Sequence, residues 1–262
     1  MRKKENEGPW LDYERYALGK CLKRLVEKYK IKTVLEMPAH GVKAMPSLYS
    51  LSFGQAGCHV VLVNADEEAK KAWRELGYDV AFVEADDLHN TGFKDNSFDF
   101  VWSFAYLPNE KNKDAYINEM IRVSKRLVSV FCVNGYNPGF LLHRLAHKIH
   151  SIDWTHGDQA FSFPNNLKQL FIKCGLGIAE LGVVNTPPWP DSVGFRDIRL
   201  HKLGTTGKIN WHSGTLDFIE NNNVPNWIKL IYKFERLPVP LPLKLIYAHI
   251  YYLIGQKRGA VD

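Results

Sequence analysis

The side chains able to do chemistry gather in three places along this sequence. The first is IKTVLEMPAHGV, residues 31 to 42, where an apolar run ends in Glu36 and passes into a loop holding Pro38, His40 and Gly41. A carboxylate ahead of a tight loop is the arrangement of a ligand-cradling turn. Proline removes one N–H donor from it, however, and only Gly41 offers an unhindered backbone. The second place is a pair of later run ends, Asn64 with Ala65 after CHVVLV, and Asp86 with Asp87 after DVAFVEA. The third is a histidine series, His143, His147 and His150, followed by Asp153, His156 and Asp158. Two histidines one helical turn apart can bind zinc. H-E-x-x-H is absent, and Arg144 and Lys148 share the stretch, so a solvated polar helix face is the reading and no metal is expected.

Those groups need a scaffold, and the apolar periodicity predicts one. Residues 10 to 29 carry Tyr13, Tyr16, Ala17, Leu22, Leu25 and Val26 at helical spacing. After them KTVLEM, CHVVLVNA, DVAFVEA, SFDFVWSFA and RLVSVFCVN read as strands, continuous in apolar character as strands buried on both faces are. Helices alternate with them, among them DEEAKKAWRELG, with acids in its first turn and a glycine at its end. That alternation over residues 31 to 134 predicts a parallel sheet covered by helices on both sides, with ligands beyond the carboxyl ends of the strands. GFLLHRLAHKIHSI and NNLKQLFIKCGL are two further helices, and residues 176 to 184 are expected to form an antiparallel edge strand. TPPWPD is a stiff loop whose Trp189 either packs or flanks a pocket.

Composition narrows the class. A chain of 262 residues with 45% hydrophobic and 24% charged residues can bury a full core. A net charge of +6 favours anionic partners without choosing one. Four cysteines, Cys21, Cys58, Cys132 and Cys174, lie too far apart for a zinc or redox motif; Cys58 and Cys132, in apolar strand-like runs, read as buried reduced thiols, which suits a reducing cytoplasm. No secretory signal and no spanning helix are expected. No zinc finger, RNA-binding signature or basic stripe points to nucleic acid.

In order and at these distances, the segments resemble a class I S-adenosylmethionine-dependent methyltransferase over residues 31 to 184. VLEMPAHGV stands where that family has V-L-D/E-x-G-x-G-x-G, VVLVNADEEAKKA where it has a strand ending in an acid and then a helix, and FVEADDL ahead of DNSFDFVWSFAYL where it has V-x-x-D and the fourth strand. INEMIRVSKRLVSVF matches the next helix and fifth strand, and FPNNLKQLFIKCGLGIAEL the closing helix and strand. The resemblance implies a three-layer α/β/α Rossmann-like fold with a mostly parallel sheet, an antiparallel edge and a helical C-terminal extension. It divides the chain into an N-terminal helical cap (1–30), a methyltransferase-like domain (31–195) and an apolar, aromatic tail (196–262).

The resemblance also assigns roles. Glu36 would lie near the methionine part of S-adenosylmethionine, Asn64 and Ala65 at the ribose, Asp86 and Asp87 at the adenine, with Pro38, His40, Gly41 and Phe104 completing the cofactor site. The family's glycine positions 38, 40 and 42 hold Pro38, His40 and Val42, and the ribose acid is replaced by Asn64, with Asp66 two residues on. Methyl transfer would be an in-line displacement to an unidentified small-molecule acceptor, with Tyr106, His156 and Asp158 as candidate bases. The segment DWTHGDQAF would be a lid, or else a structured surface loop. The altered loop keeps a second reading open, a non-catalytic binding protein on the same fold. A nucleotide-dependent oxidoreductase is disfavoured, since G-x-G-x-x-G is absent after the first strand. The tail admits packing on its own domain, a homodimer seam or peripheral membrane contact.

Overall fold

The computed structural model describes residues 5–6, 9–41, 46–186 and 211–258. Val42 and Trp189, both singled out above, lie outside the described residues, as does the expected boundary at 195. In chain order the elements begin with β1 (Glu5–Asn6), α1 (Pro9–Tyr29), β2 (Thr33–Glu36), α2 (Leu51–Gln55) and β3 (His59–Val63). Next come α3 (Glu67–Leu76), β4 (Val80–Val83), β5 (Phe98–Phe104), α4 (Lys113–Val123) and β6 (Ser124–Val133). α5 (Pro138–Ile149), α6 (Pro164–Lys173), β7 (Leu176–Val184), β8 (Trp211–His212), α7 (Gly214–Glu220), α8 (Asn226–Glu235), α9 (Leu241–Tyr247) and β9 (Ile250–Lys257) complete the chain.

The local chemistry explains the element ends. Asp66 caps α3 by accepting from the Ala69 N–H at 2.7 Å, Glu67 and Glu68 face the positive end of its dipole, and Gly77 closes it at φ 65°. α1 buries Leu11, Tyr13, Ala17, Leu18, Leu22 and Leu25 along one stripe, which lays it on the sheet. The central strands bury nearly every residue: Val34, Leu35, Val60, Leu62, Phe100, Val101, Trp102 and Phe131 have 0% exposure.

Seven strands form the main sheet in the order β4-β3-β2-β5-β6-β9-β7. β2 to β6 run parallel to one another. The expected mostly parallel sheet with helices around it is therefore present. One detail is corrected. Residues 176–184 do take the edge, but the strand that reverses direction is β9, inserted between β6 and β7 and antiparallel to both. The tail is thus not a helical appendage throughout. Tyr251, Tyr252, Leu253 and Ile254 are buried within the sheet, each side chain contributing roughly 1.5–3 kcal/mol through burial. Ile228 of α8 is buried too, whereas Leu230, Phe234, Leu243 and Ile246 stay exposed. Among the described residues, no helix is long and apolar enough to cross a membrane.

Candidate active site

The strand ends form two adjoining regions. The first is the crevice beyond β2, β3 and β4. Glu36 closes β2 but turns inward, 1% exposed. Ser47 Oγ donates to it at 2.9 Å and Ser50 Oγ at 2.6 Å, and Trp102 Nε1 donates to Ser50 Oγ at 3.0 Å. Burial raises its pKa to about 7, although both hydroxyls oppose the shift. The carboxyl expected at the methionine part of a ligand is thus engaged in holding residues 47 to 50 against the sheet.

The loop after it is pinned from both sides. Met37 N–H donates to Trp102 O at 3.0 Å and Ala39 N–H to Val63 O at 2.7 Å. Tyr116 donates its hydroxyl to Met37 O. The Met37–Pro38 peptide is cis. Pro38 and Ala39 are buried, while His40 and Gly41 face solvent. The His40 ring meets Tyr106 edge-on at 6.0 Å. Partial burial of the ring lowers its pKa, with Asp66 and Glu84 pulling the other way.

At the end of β3, Asn64 takes a left-handed φ of 57°, which asparagine tolerates. Its amide pairs with the backbone N–H and C=O of one residue just past the neighbouring strand: Nδ2 donates to Ala85 O at 2.9 Å and Oδ1 accepts from Ala85 N at 2.8 Å. Both amide atoms are therefore engaged at the place expected to serve ribose. Ala65 is 5% exposed and packed in the core. Asp66, the other expected substitute, is committed to the α3 cap. Asp87 accepts from the His89 N–H at 2.8 Å. Asp86 differs from all of these: it is exposed, and among the described residues no hydrogen bond or ion pair engages its carboxylate.

The second region is a cavity of about 290 Å³ beyond β5 and β6, lined by Leu11, Glu14, Tyr49, Phe104, Ala105, Phe131, Phe140, His143, Trp154, His156, His249 and others. Phe104 stacks on Tyr49 at 3.9 Å. Ala105 holds a φ of 54° as the chain leaves β5, a strained conformation of the kind that collects at functional sites. Of the three candidate bases only His156 lines this cavity. The Tyr106 hydroxyl donates to Glu110 at 3.0 Å, and burial together with that carboxylate pushes its pKa to about 12. Asp158 caps a short turn by accepting from the Ala160 N–H at 2.9 Å.

The histidine helix also departs from the expected solvated face. His150 is exposed, but His147 is only 3% exposed, with its Nε2 3.1 Å from His143 Nε2. His156 folds back onto the pair. Glu14 and His249 are cavity residues that the sequence reading did not single out. Glu14, 7% exposed and accepting from Asn185 Nδ2 at 3.1 Å, had one signal: it interrupts the buried α1 stripe between Leu11 and Leu18. His249 had none, because its place depends on β9 entering the sheet.

Comparison with known proteins gives a domain match and a fold. Residues 44–132 match the family model described as a methyltransferase domain. No curated protein matches the sequence. Among solved structures, one described as a SAM-dependent methyltransferase, possible histamine N-methyltransferase, from Thermotoga maritima superposes with a TM-score of 0.54 at 14% identity, covering 95% of this chain and 93% of that one. Magnesium protoporphyrin IX methyltransferase from Synechocystis with bound SAH gives 0.50 at 18% identity over 66% of this chain and 77% of that one. The cyclase SpnF gives 0.53 at 14% identity over 98% and 85%. Fold alone therefore does not fix the chemistry. A sheet of this order, with the matched segment at its centre, is thus the Rossmann-like fold that these methyltransferase structures share, and residues 44–132 match a methyltransferase domain.

Proposed function

We propose that the chain methylates a small, largely apolar molecule bearing one nucleophilic heteroatom, held in the cavity beyond β5 and β6. The cavity itself carries this reading: about 290 Å³ lies at the low end of small-molecule sites, and its walls are mainly aromatic and aliphatic with a few titratable groups. S-adenosylmethionine, when bound, supplies an already activated methyl group. The crevice residues fit it at two points. Asp86 offers a free carboxylate for the adenine amino group, and the exposed His40–Gly41 backbone offers a surface for the amino-acid part. The ribose lacks a charged partner, because Asn64 is committed to Ala85. Glu36 acts through the backbone it anchors.

The chain's task in transfer is then alignment and exclusion of water. Phe104, Tyr49 and Phe131 form the dry wall that sets the acceptor against the crevice. Glu14 and His249 stand on the same wall as groups able to take the acceptor's proton. The test is incubation with labelled S-adenosylmethionine and cell extract separated by size. Label is expected in the small-molecule fraction. Leu11→Phe, which adds bulk on the cavity wall, is expected to lose transfer while leaving calorimetric binding of S-adenosylhomocysteine intact. Label in protein or nucleic acid instead would overturn the reading.

A further inference from the structure

We propose that His143, His147 and His156 form a binding site for a zinc-type divalent ion at the edge of the acceptor cavity. Three observations converge on it. The first is the gathering of donors: one ring nitrogen from each histidine, all within 4.8 Å of one another. His143 and His147 stand one turn apart on α5, and their Nε2 atoms are 3.1 Å apart. Bonds of about 2.0–2.1 Å to a tetrahedral zinc ion place two ligand nitrogens about 3.3 Å apart, so the pair is already near ligating separation.

The second observation is tautomeric. His147 Nδ1 lies 3.0 Å from Asp153 O and 3.2 Å from Ile152 O. Facing two carbonyl oxygens, it must carry the proton. With the proton on Nδ1, the acceptor nitrogen Nε2 is the one turned toward His143 Nε2, 3.1 Å away. A ligating histidine characteristically donates its other ring N–H to a carbonyl or carboxylate, which fixes its orientation.

The third is that the return loop is built rather than loose. Trp154 packs against all three imidazoles, with ring centroids 5.4, 5.2 and 4.8 Å away, and its Nε1 donates to Gly157 O at 3.1 Å. Asp158 N–H donates to Pro108 O at 2.8 Å. Gly157 sits at φ 72°, where an added Cβ would come within 2.4 Å of the Pro108 backbone. A side chain is thus excluded at the point where the loop brings His156 over α5.

An all-imidazole set suits zinc and neighbouring first-row ions rather than calcium or magnesium. Three protein ligands leave a fourth position, and because His143 and His156 line the cavity that position opens toward the acceptor. Resting on the function proposed above, an acceptor hydroxyl or thiol at the fourth position would lose its proton more readily, with Glu14 or His249 to receive it. Ion binding itself does not depend on that reading and is tested separately.

Protein made without an affinity tag is stripped with chelator, and Zn²⁺ is titrated calorimetrically while Co²⁺ is followed by visible absorption. One ion per chain and intense tetrahedral cobalt bands are expected. His147→Ala and His156→Gln are each expected to weaken Zn²⁺ binding by more than the 10–100-fold that losing an outer-shell partner costs. His150→Ala, on the same helix outside the cluster, is expected to bind as the wild type does. Should the variants unfold, the wild-type cobalt spectrum decides alone. Absence of its bands, or equal binding by His150→Ala and a folded His156→Gln, overturns the proposal, whatever the methyl-transfer assay gives.

Discussion

Glu36→Gln tests directly whether the first strand-end acid is a buried anchor. Burial raises the carboxyl from 4.5 to about 7 in the folded protein, while in the unfolded chain it titrates near its ordinary value. Between those two values the native state keeps a proton that the unfolded state has released, so stability falls as pH rises. The contribution is complete below about pH 4.5, is lost through pH 7, and is constant above. A change of that size corresponds to about 3 kcal/mol. Glutamine is neutral throughout, has nearly the same shape, and can accept from one serine hydroxyl while donating to the other. The variant is therefore expected to match the wild type near pH 4.5 and to exceed it by up to about 3 kcal/mol at pH 8. Every other titrating group is common to both proteins and cancels in the difference. Urea unfolding of each protein at half-unit steps from pH 4.5 to 8 supplies the curve, with coincident fluorescence and circular dichroism transitions as the check on two-state behaviour. A difference that stays flat across the window would refute the reasoning. A variant that loses stability as pH rises would mean that the native carboxylate is ionised against a cation instead.

Glu180 provides the opposite sign. Burial opposes its ionisation, but hydrogen bonds from Arg24, Lys28 and Tyr252 outweigh it and hold the carboxylate at about 2. Its contribution is present above about pH 4.5 and is lost as pH falls toward 2. Glu180→Gln is expected to cost about 1–2 kcal/mol at pH 7, the figure being trimmed because Arg24 and Lys28 are 46% and 48% exposed, and the gap should close in acid unfolding curves. Asp86→Asn is expected to weaken S-adenosylhomocysteine binding about 5–10-fold, the share of one exposed charge-assisted hydrogen bond, without moving the melting temperature. Unchanged affinity by calorimetry removes Asp86 from the adenine site.

What could be read from the sequence and what could not follow from the range of the interactions involved. β2, β3, β5 and β6 announce themselves because a strand buried on both faces must be apolar along its whole length. α3 announces its ends because caps are local: Asp66 and Gly77 act within a few residues. β9 does not, since IYYLIGQK becomes a strand only by pairing Tyr252 with Phe131 and Gly182, far away in the chain. The site shows the same division. That acids stand at strand ends was legible from spacing. Which way they turn was not: the fate of Glu36 is decided by Ser47, Ser50 and Trp102, on two other segments. The i, i+4 histidines were legible as a pair, but the inward turn of His147 required the 153–158 loop to close over the helix.

The unusual loop then has a physical explanation. A glycine-rich turn approaches a ligand closely because it lacks side chains, and it loses conformational entropy when it orders. Here Pro38 fixes one φ outright. The neighbouring Met37 and Ala39 N–H groups donate to strands on opposite sides, and Tyr116 holds the Met37 carbonyl. Glu36 ties the following segment down through two serines. Asn64 does for the next strand end what Glu36 does for this one, spending its polar atoms on backbone rather than on ligand. Glu36, Met37, Ala39 and Asn64 are thus tied to the protein itself, and backbone already held in place costs little to order upon binding. The groups that still face outward at these strand ends are His40, Gly41 and Asp86.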